Sequence, residues 1–413
     1  MAISEALAAE PAVIDPDEFA RRGYPHELWS RLRAEAPVLR VESGPGAPYW
    51  ALTRHAEIVE VSKRPEDFLN GPRLEVVGAA EAPGIGTLIS MDPPKHGLYR
   101  QLTSRAFSPR AIRALVPRVE EIVGELLADL GDGESFDFVA RVAAPLPIAV
   151  IGEMLGVPRE DWQQLFAWTN QTVAATDPEF RREGESPAQT QARAHRELFA
   201  YFAELREARL REPRDDLLTL VAQARVEGDE LEVVAALAYY LILVAAGNET
   251  TRNAISGGLL AFIDHPAAWQ RLRAEPALLD SAVEEVLRWS TPVACFARTA
   301  ARDVEVGGQQ IAAGEVLALL YASANRDERV FQEPFEFRID RRPNRHLAFG
   351  MGEHFCLGAH LARLELSALF RQLALRVEGA ELTGPVERVR AGTLGAIKRM
   401  PVRTLGAAGE GAG

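Results

Sequence analysis

Two stretches carry residues arranged for chemistry. Phe349-Gly350-Met351-Gly352-Glu353-His354-Phe355-Cys356-Leu357-Gly358 sets one cysteine in a loop held by three glycines. The amphipathic run Ala359 to Arg376 follows at once and predicts a helix, so Cys356 stands at a helix N-terminus. Unpaired backbone N–H groups and the helix dipole there favour thiolate over thiol. Glycines let the backbone close on a ligand and turn where other residues clash. A structural cysteine beside a tight turn is the plain alternative; the flanking pattern favours a thiolate ligand to haem iron. The second stretch is Ala246-Gly247-Asn248-Glu249-Thr250-Thr251-Arg252-Asn253, a polar interruption in the otherwise apolar run Glu230 to Asp264. Buried polar groups are costly unless paired or used. Gly247 weakens a helix, and a thinned, kinked helix there leaves room for a small ligand. The plain alternative is hydroxyls that bond back to their own helix.

The order Phe-Gly-x-Gly-x-His-x-Cys-x-Gly, followed by Leu361-Ala362-Arg363, resembles the haem-ligand loop of the cytochrome P-450 family. The resemblance runs from about Tyr49 to about Val402. It implies a mainly α fold with small β-sheets (α+β) and a long central helix over haem b. Cys356 would be the metal ligand, with Phe349, Gly350, Gly358 and Ala246 against the cofactor. The family pattern Ala/Gly-Gly-x-Asp/Glu-Thr-Thr makes Ala246–Thr251 an oxygen groove, with Thr250 steering protons and Glu249 supplying them through water.

The same resemblance assigns His96, Arg100, Arg298 and His354 to the haem propionates. An anionic group does need basic donors, and Arg suits carboxylates best. His96 and Arg100 are four apart and share a helix face. Glu285 and Arg288 match the family's Glu-x-x-Arg pair, with Arg341 as third member, a structural support for the cysteine loop. Pocket walls are expected from Leu243, Ala246 and Thr250, from Val293, Ala294 and Phe296, and from Leu394 with Gly395. These are apolar or small, which suits a sizeable hydrophobe.

The implied activity is a monooxygenase that inserts one atom of dioxygen into a C–H bond. A haem-thiolate peroxygenase would not need the Glu249-Thr250 pair, and a haem carrier or plain helical scaffold would not need the groove. Gly247–Asn253, Trp289–Val293 and Leu394–Lys398 resemble members that hydroxylate sterol side chains and methyl-branched lipids at a terminal carbon. Sterol or steroid is the first expectation, then branched fatty acid, then terpenoid. No flavin or iron–sulfur motif is present, so a ferredoxin or flavodoxin-type donor with its reductase would carry electrons from NAD(P)H.

The remaining chain must position these groups. With 413 residues and no long linker or repeat, one domain over 21–405 is expected, flanked by flexible segments 1–20 and 406–413. The formal net charge of -13 disfavours nucleic acid. Two distant cysteines, Cys295 and Cys356, argue against a disulfide framework. Met1–Glu10 has no basic residue and is no signal peptide, and Val233–Gly247 is short for a membrane span. A cytoplasmic, unanchored monomer is the resulting expectation. Val38–Val41 with Tyr49–Leu52 predicts a hairpin, Glu27–Ala36 and His55–Ser62 short helices, and Asn70–Thr87 a long loop over the pocket. Asp92 and Pro93 predict the N-cap and first residue of the helix bearing His96. Helices are expected at Ala111–Leu130, Leu146–Leu155, Glu160–Ala174, Ala188–Glu212 and Asp215–Arg225, with a mobile loop at Thr176–Pro187.

Overall fold

The structure, a computed structural model, describes residues 13–77, 86–128, 130 and 133–406. The expected tail over 407–413, the first twelve residues and the middle of the Asn70–Thr87 loop lie outside the described residues. Residues 13–20, expected to be flexible, are ordered into the fold. Asp15 accepts a hydrogen bond from the Asp17 N–H and caps the helix Pro16–Arg22. Val13, Ile14 and Phe19 bury against Trp29 and Leu32. Three apolar side chains in a short segment are enough to fix it.

Helices form the bulk of the described chain, as expected for a mainly α fold. One mixed sheet has the order β1–β2–β5–β4–β3, with β1 Val38–Val41, β2 Tyr49–Leu52, β3 Phe68–Leu69, β4 Cys295–Ala300 and β5 Val316–Leu320. β1 and β2 are the expected antiparallel hairpin; β5 runs parallel to β2 and antiparallel to β4. Val304–Val306 pairs with Gln309–Ile311 in its own small hairpin, while β5 joins the larger sheet. The expected helix Ala111–Leu130 is two, Pro109–Ala114 and Val116–Leu127, broken at Leu115 just before Pro117.

The helices that build the site are α1 Lys95–Ser104, α2 Trp162–Val173, α3 Pro187–Arg211, α4 Val233–Asp264, α5 Leu279–Ser290 and α6 Ala359–Arg376. α4 is buried on nearly all sides, because Leu237, Tyr240, Leu241, Val244, Ile255, Leu259 and Phe262 leave no polar face. It is assigned as continuous helix through Gly247. α4 is long and apolar enough to cross a membrane, but its most apolar stretch is mostly buried within the fold. It lies close on α5 and α6. A Cβ on Gly258 would come within 2.6 Å of both Phe370 on α6 and Val286 on α5.

Candidate active site

The cysteine loop is folded by its backbone. The Cys356 N–H donates to the Phe349 carbonyl at 2.9 Å, and the Gly350 N–H donates to the Leu347 carbonyl at 2.9 Å. Gly352 has φ +75, and a Cβ there would lie 2.1 Å from the Ser62 carbonyl oxygen, so only glycine fits. Arg363 on α6 stacks 4.5 Å over Phe349 and pairs with Glu284 on α5, which also meets His346 at 3.1 Å. The loop is thus pinned at both ends to helices of the core.

Behind it stands a buried carboxylate with two arginines. Glu285 pairs with Arg288 at 2.7 Å and with Arg341 at 3.1 Å, and all three side chains are at most 5 % exposed. Arg288 spans to the carbonyls of Asn325, Pro334 and Glu336. Burial raises the Glu285 carboxyl, but Arg288, the Arg338 N–H and Arg341 outweigh it and leave the group below the usual carboxylate range.

Four basic side chains gather on the other side of the loop. His96 stacks on His354 with ring centroids 3.9 Å apart. Arg100 donates to the Phe355 carbonyl at 2.6 Å. Arg298, 4 % exposed, donates to its own neighbour's carbonyl, Ala297, and has no carboxylate partner among the described residues. His354 Nε2 is buried with no hydrogen-bond partner. Burial, then His96, Arg298 and Arg100, push His354 down to about 3, and burial with Arg100 pushes His96 to about 4. Among the described residues, the acid that meets His96 is Glu353, 3.9 Å away and half-exposed. Two arginines with no carboxylate partner among the described residues, beside a buried imidazole nitrogen with no partner, fit an anionic group.

The helix bearing His96 does not start as expected. It begins at Lys95, and the Asp92 carboxylate instead accepts from the N–H groups of Asn70 and Gly71, at 2.7 and 3.1 Å. Pro93 and Pro94 leave Lys95 as the first N–H that Asp92 could cap, and its oxygens are taken by the Asn70 loop instead. It fastens the Asn70 loop to α1.

Across the cleft, Ala246 is exposed and Thr250 half-exposed in the middle of the otherwise buried α4. Thr250 Oγ1 donates to the Ala246 carbonyl at 2.7 Å. Glu249 faces elsewhere: it is 1 % exposed and paired closely with Arg252, whose guanidinium also donates to Asn170 on α2 at 2.9 Å. Burial raises the Glu249 carboxyl despite Arg252. Asn248 donates to Thr169 of α2 at 2.9 Å. Arg252, Thr169 and Asn170 carried no role in the sequence reading. The i,i+3 spacing of Glu249 and Arg252 was a usable signal for the first; nothing local announced the partners on α2.

Cys356 itself differs from expectation. Burial pushes its thiol up, and the N–H of Gly358, with Arg100 and Arg363, only opposes this. The helix begins three residues later, at Ala359, so its dipole does not decide the thiol's state in the chain alone. A cation at sulfur would. The residue is half-exposed towards the cleft, though it lies deep in the fold. A Cβ on Gly358 would meet nothing within 4 Å, which leaves the cleft open beside the sulfur.

Of the expected pocket residues, Val293 and Phe296 are half-buried and Leu243 and Leu394 buried; Val293 and Leu394 pair in a β-bridge. Ala294 is a correction. It is fully buried and packs with Cys295 into the cluster of Val13, Ile14 and Phe19, behind the wall. Cys295 is likewise a buried small residue, as expected.

A free cysteine in a glycine-shaped loop, a wall with two arginines and an unpartnered imidazole nitrogen, and an opened helix face opposite together fit a cysteine-ligated haem with two propionates. A family model described as Cytochrome P450 matches residues 17–378. The chain belongs to the cytochrome P450 family. It is 36% identical over 402 residues to a steroid C26-monooxygenase of Rhodococcus jostii (strain RHA1), covering 94% of this chain and 83% of that protein. It is 35% identical over 403 residues to a linalool 8-monooxygenase of Pseudomonas putida, covering 95% and 98%. The solved structure of CYP108D1 from Novosphingobium aromaticivorans DSM12444 matches with a TM-score of 0.87 and 37% identity, over 97% of this chain and 98% of that one. This P450 is therefore a haem-thiolate monooxygenase that uses dioxygen, an oxidoreductase with the mainly α P450 fold.

Proposed function

We propose that this P450 hydroxylates a sizeable hydrophobic substrate, a sterol or steroid first, a branched lipid or a terpenoid next. The observation that carries this is the wall itself: Leu243, Val293, Phe296 and Leu394 offer no charged group to a ligand standing over Ala246. The steroid C26-monooxygenases and the linalool 8-monooxygenase among its relatives support the order of preference. Electrons come from NAD(P)H through a ferredoxin or flavodoxin-type donor and its reductase, and the chain works as a cytoplasmic monomer.

Haem b, when bound through Cys356, supplies dioxygen activation and oxygen insertion into a C–H bond. The chain supplies the rest. Arg298, His354, His96 and Arg100 would hold the haem's propionates, and Phe349, Gly350, Gly358 and Ala246 would lie against it. Glu285, Arg288 and Arg341 hold the loop. Thr250 Oγ1, released from the Ala246 carbonyl, holds a proton over the groove. Glu249 replaces that proton through water after parting from Arg252. The apolar wall excludes other water and sets which carbon faces the groove.

The test is a binding screen of the holoenzyme across steroids, branched fatty acids and terpenes, read as the substrate-induced spin-state shift. Saturable shifts at micromolar steroid, and none with polar aromatic acids, are expected. Shifts confined to charged or polar ligands would overturn the reading.

A further inference from the structure

The segment that carries Val293 starts at a strained turn. Thr291, the residue after α5, has φ +38, a left-handed backbone that β-branched residues rarely adopt. Such strain persists only where neighbours hold it. Three hydrogen bonds do so here. Thr291 Oγ1 donates to the Arg288 carbonyl at 2.8 Å, and Asn325 Nδ2 donates to Thr291 Oγ1 at 2.9 Å. The third reaches across from the start of the chain: the Tyr24 hydroxyl donates to the Thr291 carbonyl at 2.7 Å.

Past this turn the segment pairs with a second one near the C-terminus. The Pro292 carbonyl accepts from the Gly395 N–H at 3.1 Å, and the Ala294 N–H donates to the Thr393 carbonyl at 2.7 Å. Between these two bonds lies the bridge of Val293 with Leu394. Tyr24 touches both segments. Its hydroxyl holds Thr291, and a Cβ on Gly395 would collide with that hydroxyl and with the ring. The phenol has little freedom of its own. Phe19, His26 and Trp29 surround it, with ring centroids 5.4, 5.9 and 5.5 Å away. Burial pushes its hydroxyl well above the ordinary range, so it stays a donor. The N-terminal segment thus presses on the wall from behind, at the two points from which Val293 and Leu394 extend.

We propose that Tyr24 is a positioning residue for the substrate: its hydroxyl fixes the Thr291 turn, its ring fixes Gly395, and together they set where Val293 and Leu394 stand. Without the hydroxyl the turn relaxes towards an unstrained backbone, and a ligand that leans on the wall must order it again on binding. A ligand that touches iron without reaching the wall meets no such cost. The proposal rests on the pocket-wall reading of Val293 and Leu394.

The experiment uses Tyr24→Phe holoenzyme, which keeps the ring, loses one hydrogen bond and so still folds. Two neutral azoles are titrated by absorbance, imidazole and a bulky triphenylmethyl-imidazole. These bind iron whatever the natural substrate is, so failure here is separate from failure of the steroid reading. The bulky azole's Kd is expected to rise about fivefold, with imidazole unchanged. Amide hydrogen exchange over 292–296 and 393–396 is expected to accelerate several-fold, while exchange in α4 stays as in wild type. Leu32→Val is the control for stability alone: it thins the N-terminal apolar cluster, leaves the Tyr24 hydroxyl in place and is expected to bind both azoles as wild type does. Faster exchange with both azoles at wild-type affinity would overturn the wall reading and the proposal with it. Wild-type exchange, equal weakening of both azoles, or the same loss in Leu32→Val would overturn the role of Tyr24.

Discussion

Replacing Glu285 by glutamine probes the frame behind the cysteine loop. The side chain is fully buried and accepts from Arg288 Nε and Nη2 at 2.8 and 2.7 Å, from Arg341 Nε at 3.1 Å, from the Arg338 N–H at 2.8 Å and from Asn344 Nδ2 at 3.1 Å. A glutamine keeps the shape and one accepting oxygen. Its amide NH2 then faces donors, and two guanidiniums stay charged where Arg288 is 0 % and Arg341 5 % exposed. Removing one partner of a buried pair costs about 3–5 kcal/mol, a large part of a domain's ~5–15 kcal/mol. The damage is directional. Arg288 Nη1 holds the Asn325 carbonyl, and Asn325 Oδ1 accepts from the Leu347 N–H at 2.7 Å, two residues before Phe349. Urea titration of Glu285→Gln is expected to show that loss in both cofactor-free and haem-loaded protein, with faster haem release to a scavenger. Glu285→Gln/Arg288→Met is expected to fall short of the sum of the single losses, because it removes one of the stranded charges. A single variant within about 1 kcal/mol of wild type in urea would refute the account of the network as a frame.

Thr250→Ala removes the hydroxyl and should keep haem content and substrate shift while product per NAD(P)H falls several-fold and hydrogen peroxide rises; unchanged product per electron would remove Thr250 from proton handling. Gly352→Ala places a Cβ against the Ser62 carbonyl at positive φ and should cost about 2 kcal/mol or more in a urea titration. For Glu284, burial would raise the carboxyl, but Arg363 and His346 hold it down to about 2. A depressed carboxylate stabilises fully above its ordinary value of 4.5 and loses that contribution as pH falls from there towards 2. With 29 % of the side chain exposed, the contribution is about 1–2 kcal/mol, and Glu284→Gln should flatten the acid limb of the cofactor-free chain's stability profile over that window.

The loop and the groove were readable because their chemistry is local: spaced glycines around Cys356, and polar residues inside an apolar helix. The β1–β2 hairpin was readable for the same reason. What failed to show depends on distance. Asp92 looks like a cap until Asn70 and Gly71 arrive from 21 or more residues away to take its oxygens. Val13, Ile14 and Phe19 look like the start of a tail until Trp29 and Leu32 cover them. Ala294 sits beside Val293 in sequence, yet the strand's fold-back on the N-terminal segment puts it on the other side of the wall. Cys356 stands near a helix N-terminus that favours thiolate, while burial, a property of the whole fold, opposes it in the metal-free chain, so an iron at sulfur would decide the state.

A chain with a formal net charge of -13 must still concentrate positive charge where an anionic cofactor lies. It does so by spending arginines unevenly. Arg33, Arg118, Arg182 and Arg209 each meet a carboxylate elsewhere. Among the described residues Arg298 meets none and Arg100 donates to a carbonyl, and the two histidines beside them are driven to their neutral forms by burial and by that charge. The groove follows the opposite rule. Glu249 is already answered by Arg252, Asn248 by Thr169, and Thr250 by its own helix. Buried groups with no partner are expensive; these bonds cover Glu249 and the Asn248 amide N–H, while Asn248 Oδ1, Arg252 Nε and both polar atoms of the Asn253 side chain have no partner among the described residues. On the proposed roles of Thr250 and Glu249, proton delivery would proceed by exchange of existing bonds. Thr250 gives up a single hydroxyl-to-carbonyl bond, worth about 1 kcal/mol, whereas Glu249 must leave a buried guanidinium that α2 also holds. The hydroxyl is the easier group to move, and the carboxylate is the one whose release depends on how α2 sits on α4.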